Sequence, residues 1–293
     1  PGDAARYPLR RDMLRFLPLL LSSTLVFPSC KFGLDYSGDE TGLARRAVPL
    51  ERPVGGKLSY LIAENPEKPR VIFIHGSPGS AAYYGDYLRE LQDDAEVIAV
   101  DRLGYGESAD VGTVVSFERQ AAAIAPLLEQ RGGAWPIVVG HSLGGPIATR
   151  LAVDYPDKIG ALVVVAGNLN ADLENPRWYN EFARWRILQP FLAGFLKVSN
   201  REMWGARVQV ESLETKLDRI LCPIIFIHGT SDSLVPFEAT QYSIDRYRTH
   251  PHAYALVLIG EDHGVTKLRK EEVLETIEDL LDGITDPVEE GDR

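Results

Sequence analysis

The sequence predicts an α/β fold: a mostly parallel central sheet with helices on both faces and a short helical insertion. Three observations carry this. Short apolar runs rich in β-branched residues, such as Val71-Ile72-Phe73-Ile74 and Ile137-Val138-Val139, alternate with segments of helical periodicity. The runs are apolar at every position, as suits strands buried on both faces. Gly-rich loops follow these runs, so the loops crowd beyond the carboxyl ends of the strands, where sheets of this kind bind ligands. With 293 residues, 45% of them hydrophobic and 25% charged, the chain can build one large α/β domain.

Taken in order, the first 30 residues stand apart. Arg6, Arg10, Arg11 and Arg15 precede an apolar stretch from Leu17 to Phe27 that is short for a membrane span. Charge followed by a short apolar segment reads as an export signal. Ser29-Cys30 resembles the end of a bacterial lipoprotein signal, which implies lipid on Cys30 and a periplasmic or membrane-anchored location; Arg10-Arg11 loosely resembles a twin-arginine motif. An uncleaved hydrophobic anchor and a loose apolar tail are the other readings. Residues 31–56, polar with Pro49, Pro53 and paired glycines, read as a tether and entry segment. The main folded domain is then 57–293. Strands are expected at 57–63, 71–74, 96–100, 137–139, 161–166, 224–227 and 255–259. Helices are expected at 81–92, from 116 toward 128 with Ser116 as cap and a break at Pro126, at 143–155, 237–247 and 268–281. Residues 168–220 interrupt the alternation.

Between the run 137–139 and the helix that carries Leu143, Ile147, Leu151 and Ala152 lies Gly140-His141-Ser142-Leu143-Gly144. A G-x-S-x-G sequence between strand and helix is a nucleophile elbow: the turn is too tight for side chains beside the serine, and the serine hydroxyl is pushed into the open. A serine hydroxyl needs a base, and the base an orienting partner. Of six histidines, His250 and His252 precede the last strand and fall at the wrong end of the sheet. His141 packs into the scaffold, and His75 and His228 brace loops. His263, in Gly260-Glu261-Asp262-His263-Gly264 just past the last strand, is the expected base. Asp232, on the loop after the preceding strand, is the expected acid, with Asp172 and Asp262 as alternatives. Backbone N–H groups stabilise the oxyanion of acyl transfer, and Leu143 and Ser77 are the expected donors; Pro78 has none to give.

His75-Gly76-Ser77-Pro78-Gly79, Asp101-Arg102-Leu103-Gly104-Tyr105-Gly106-Glu107-Ser108, the elbow, Asp232 and His263 together resemble the α/β-hydrolase superfamily. The resemblance spans roughly residues 57–281. It implies a serine hydrolase that needs no cofactor, with Asp101 in a structural loop and 168–220 as a small lid. Relatives that open epoxides or remove halides use an aspartate where this chain has Ser142. In the lid, Trp178, Phe182 and Trp185 share one helical face and are expected to pack the lid or line an apolar pocket. The leading expectation is a carboxylic ester hydrolase acting on a small-molecule ester. An amidase or peptidase, or a cofactor-free haloperoxidase-type perhydrolase, would use the same triad; a non-catalytic binding module is the reading from another class. The formal net charge of −11 and the lack of a basic stripe argue against a nucleic-acid partner. No His/Asp cluster stands at metal-ligand spacing. Two cysteines make no disulfide framework, and Cys222, beside an apolar run, reads as a small buried hydrophobe.

Overall fold

The computed structural model describes residues 40, 42–51, 55–176, 180–181, 185, 190 and 192–285. Cys30, Trp178 and Phe182 therefore lie outside the described residues.

Eight strands form one sheet: β1 (Ala44–Pro49), β2 (Lys57–Ala63), β3 (Arg70–Ile74), β4 (Glu96–Val100), β5 (Ile137–His141), β6 (Ala161–Val165), β7 (Ile224–Gly229) and β8 (Ala253–Leu258). Their spatial order is β1-β2-β4-β3-β5-β6-β7-β8. β2 is antiparallel to both β1 and β4, and every other pairing is parallel. The register shows why the apolar runs are continuous. Ile98, Ile72, Val138, Leu162 and Ile224 form one row across the sheet and face one side; Ala99, Phe73, Val139, Val163 and Ile225 form the next row and face the other. With period-2 alternation, both sides must be covered by helices. α1 (Gly85–Leu91) and the C-terminal helix cover the second side through Tyr87, Leu88, Val273 and Ile277. α2 (Phe117–Ile124), α3 (Gly144–Asp154) and α4 (Gly194–Glu214) cover the first through Phe117, Ile124, Ile147, Leu151, Ala206 and Val210. α5 (Glu238–Arg246), a short turn α6 (Val265–Leu268) and α7 (Lys270–Thr285) complete the chain. Full burial of a side chain the size of Leu or Ile stabilises by about 1.5–3 kcal/mol, so these two layers hold the strand ends, and the loops on them, in fixed relation.

The fold departs from the sequence reading in two places. Residues 44–49, read as part of a tether, pair with β2 as an edge strand. Their pattern was opaque because Arg45 and Arg46 are charged, yet Arg45 reaches inward to Asp101 (2.6 Å). Elsewhere the expectation holds: Ser116 caps α2, accepting from the Arg119 N–H at 3.3 Å, and the helix ends at Ile124, where a 3₁₀ turn containing Pro126 takes over. Within 168–220, α4 is not only a cover. Its Val198, Ala206, Val210 and Leu213 are core residues, so this helix of the insertion is part of the main packing. Cys222 is buried, and burial pushes its thiol up to about 12. Among the described residues no helix is long and apolar enough to cross a membrane.

Candidate active site

The site begins where β5 stops. Ser142 follows His141 with φ of 53°, a left-handed conformation rare for a residue with a side chain. Such a residue costs about 1–3 kcal/mol and persists only when its surroundings impose it. Here the Ser142 N–H donates to the Val165 carbonyl and the Ser142 carbonyl accepts from Gly145, both at 2.8 Å, so β6 and the start of α3 hold the turn. The flanking glycines are required by close approach. A Cβ on Gly140 would run into the Gly144 carbonyl, and one on Gly144 into the Ile74 carbonyl.

The loop after β3 lies against the turn. A Cβ on Gly76 would come within 2.8 Å of the Ser142 Cβ. Ser77 and Leu143 both line the cavity into which Ser142 faces. Among the described residues neither of their backbone N–H groups meets an acceptor, so both remain available to a bound oxygen.

From the other side come the loops after β7 and β8. His263 Nδ1–H donates to Asp232 Oδ2 at 2.7 Å. In the neutral ring this bond fixes the proton on Nδ1 and leaves Nε2 with its lone pair, the form a base requires. Asp232 is buried and held by four donors. Oδ1 accepts from the N–H groups of Leu234 and Val235, both at 2.8 Å, and Oδ2 accepts from His228 Nε2 at 3.1 Å besides His263. The His228 tautomer follows from its own partners: Nε2–H is shared between Asp232 and the Val235 carbonyl, and Nδ1 accepts from the Thr240 hydroxyl at 2.6 Å. Burial alone would raise the Asp232 carboxyl; the hydrogen bonds from His228 and His263 outweigh it and hold the carboxyl well below the usual range. Of the two alternative acids, Asp172 is exposed and paired with Arg207, and Asp262 is exposed and caps the Gly264 N–H. Ser142 and His263 stand in the wall of one cavity; among the described residues no hydrogen bond joins them.

The remaining histidines of this edge are scaffold. His141 Nε2–H donates to the His263 carbonyl at 3.1 Å, and its ring stacks on Tyr83. Burial, then the neighbouring His263, brings it down to about 3. His75 accepts the Arg102 N–H on Nε2 at 3.0 Å and donates from Nδ1 to the Gly76 carbonyl at 2.7 Å. Burial and Arg102 hold it neutral. Asp101 is equally structural: it accepts from the Ala81 and Glu107 N–H groups and from Arg45.

The described cavity wall is apolar at Pro146, Leu173, Met203, Leu234 and Pro236, and polar at Asn168, Glu174 and Asn180. Trp185 is 54% exposed and stands outside that wall. Sequence reasoning missed a buried cluster behind the wall, in which Glu202 of α4 pairs with Arg102 at 2.7 Å. A signal for it existed: Val198, Glu202 and Ala206 recur every four residues on the buried face of α4, so a carboxylate interrupts an apolar stripe.

A family model described as alpha/beta hydrolase fold matches residues 69–195. Mouse Epoxide hydrolase 4 is 29% identical over 143 residues, 48% of this chain and 38% of its own length. The chain is 27% identical over 212 residues to an Escherichia coli protein named "Putative carbamate hydrolase RutD", covering 61% of this chain and 80% of that protein. Among solved structures, the peroxisomal alpha-beta-hydrolase Lpx1 of Saccharomyces cerevisiae superposes with a TM-score of 0.62 over 84% of this chain and 90% of that one, at 15% identity.

Proposed function

From the premise that this chain belongs to the α/β-hydrolase superfamily, we propose that it is a serine hydrolase of carboxylic esters working through an acyl-enzyme. The observation that carries this reading is the 2.7 Å bond from His263 to a buried, fourfold-held Asp232, at the cavity where Ser142 projects from a strained turn. In this mechanism Ser142 Oγ attacks the ester carbonyl while His263 Nε2 takes its proton. Asp232 keeps Nδ1–H in place and balances the imidazolium. The N–H groups of Leu143 and Ser77 receive the oxyanion. The tetrahedral intermediate collapses, the C–O bond to the alcohol breaks, and His263 returns the proton to the departing oxygen. Water, deprotonated by the same nitrogen, then releases the acid and restores Ser142.

A panel of p-nitrophenyl esters of increasing chain length, run beside a carbamate and aminoacyl anilides, tests the substrate class. Ser142→Ala should lose turnover on the order of a million-fold and resist labelling by a fluorophosphonate. Asp232→Asn should lose roughly ten-thousand-fold, and Asp172→Asn should match the parent. Labelling of Ser142→Ala at the parental rate would sink the nucleophile assignment, and anilides hydrolysed in preference to esters would make the chain an amidase. The N-terminal reading is a separate proposal: export, with lipid on Cys30. Mass spectrometry of protein from a bacterial host should find lipid on Cys30 as the first residue; a mature form beginning elsewhere without lipid would refute it.

A further inference from the structure

Arg102 has no exposure and Glu202 almost none. The guanidinium does two things at once. Nε donates to the His75 carbonyl at 2.8 Å and Nη2 to the Gly76 carbonyl at 2.9 Å. Nη1 and Nη2 also engage the two carboxylate oxygens of Glu202, at 2.7 and 3.1 Å. The same carboxylate accepts from Tyr105 Oη at 2.6 Å and from Ser77 Oγ at 2.7 Å. Two consecutive carbonyls and the next side chain of the β3 loop are thus held by one ion pair, half of which comes from α4.

The consequence for the oxyanion site follows from peptide planarity. The Gly76 carbonyl and the Ser77 N–H belong to one trans peptide plane and point in opposite directions. Pinning the carbonyl on Arg102, beside the His75 Nδ1–H that also reaches it, therefore aims the N–H away from Arg102, on the loop that lies against Ser142. Arg102 can hold that carbonyl only as a compensated charge, because a buried guanidinium without its carboxylate is strongly unfavourable. We propose that Glu202 is a positioning residue: by neutralising Arg102 and binding Ser77, it makes the seating of α4 a condition for an aligned oxyanion donor. The loop and the helix of the insertion are then one unit, and displacement of α4 disarms the site without touching Ser142, Asp232 or His263. This inference rests on the serine-hydrolase reading.

The test compares Glu202→Gln with the parent on p-nitrophenyl butyrate. Losing the alignment of one oxyanion donor should lower kcat by about 100-fold, with KM within about threefold. Inhibition by n-butylboronic acid, which forms a tetrahedral adduct on the serine, should weaken in parallel; inhibition by n-butanol, which carries no anionic oxygen, should not. Should Glu202→Gln fail to fold, the double variant Ser77→Ala/Tyr105→Phe removes two hydroxyl donors and leaves the ion pair; it should lower kcat and boronate affinity together by about tenfold. A folded Glu202→Gln, or failing it the double variant, with parental kcat and parental boronate affinity at a lower Tm would overturn the proposal and leave the cluster as stabilising only. Ser142→Ala separates the two readings. If it is dead while the cluster variants turn over normally, only the role of Glu202 fails. If it turns over normally, the hydrolase reading fails first.

Discussion

His141 adjoins the proposed nucleophile, yet burial removes it from proton chemistry. The same holds for His75, which is buried against Arg102. Both observations bear on stability. An unfolded histidine titrates near about 6.5. Below that pH the unfolded chain takes up a proton at each position, and the folded chain does not until far lower, about 3 for His141. Unfolded protein then binds more protons, so stability must fall as pH drops from about 6.5 toward 3, by up to about 1.4 kcal/mol per pH unit per histidine. Asp232, held below its usual range, adds a loss of the same sign at still lower pH. Urea midpoints measured between pH 7 and 4 should decline steadily, and His141→Phe should make the decline shallower. A flat profile would mean that neither histidine is held neutral by the fold.

At the scale of elements, edge strand β1 (44–49) is clipped to the site side of the sheet by a buried carboxylate. Asp101 accepts from Arg45 at 2.6 Å, from the Ala81 N–H at 2.8 Å and from the Glu107 N–H at 3.1 Å. It thereby joins β1, the start of the helical segment after β3, and the loop after β4. Asp101→Ala leaves these donors facing a void. Arg45 is partly solvated, so the cost is nearer about 2–4 kcal/mol than that of a fully buried pair. Tm should fall by roughly 5–15 °C. Because no atom of Asp101 lines the cavity, kcat measured well below Tm should stay within a few-fold of the parent. A collapse of kcat at unchanged Tm would give Asp101 a part in the chemistry.

For the molecule as a whole, the parallel sheet is the device that assembles the site. The loops after β3, β5, β7 and β8 leave one edge, and each supplies something: Ser77, Ser142, Asp232 and His263. Among the described residues of the insertion, Met203 lines the cavity, one position from the Glu202 anchor. A triad is indifferent to acyl length, so selectivity has to come from such walls. Met203→Ala should open space for one or two more carbons, each methylene contributing about 0.8 kcal/mol, or about fourfold in kcat/KM. Profiles across a p-nitrophenyl ester series should therefore shift toward longer chains; an unchanged optimum would place the acyl pocket elsewhere.

What sequence alone determined is what local patterning encodes. Apolar β-branched runs buried on both faces announce parallel strands, and a serine between glycines at a strand-to-helix junction announces its own turn. His263 stands out because a loop after the last strand must emerge on the same edge as Ser142. What the sequence left open depended on partners distant along the chain. Asp232 is the expected acid by its place after the preceding strand, with Asp172 and Asp262 as alternatives; which of them meets an imidazole depends on the loop paths after β6, β7 and β8, which local patterning does not encode. Strand β1 was hidden because an exposed edge with inward-reaching Arg45 shows no apolar alternation. Glu202 and Arg102 lie 100 residues apart. The apolar stripe around Glu202 marks its position but names no partner; only the packing of α4 on the sheet excludes water from both, and charges denied water must find one another.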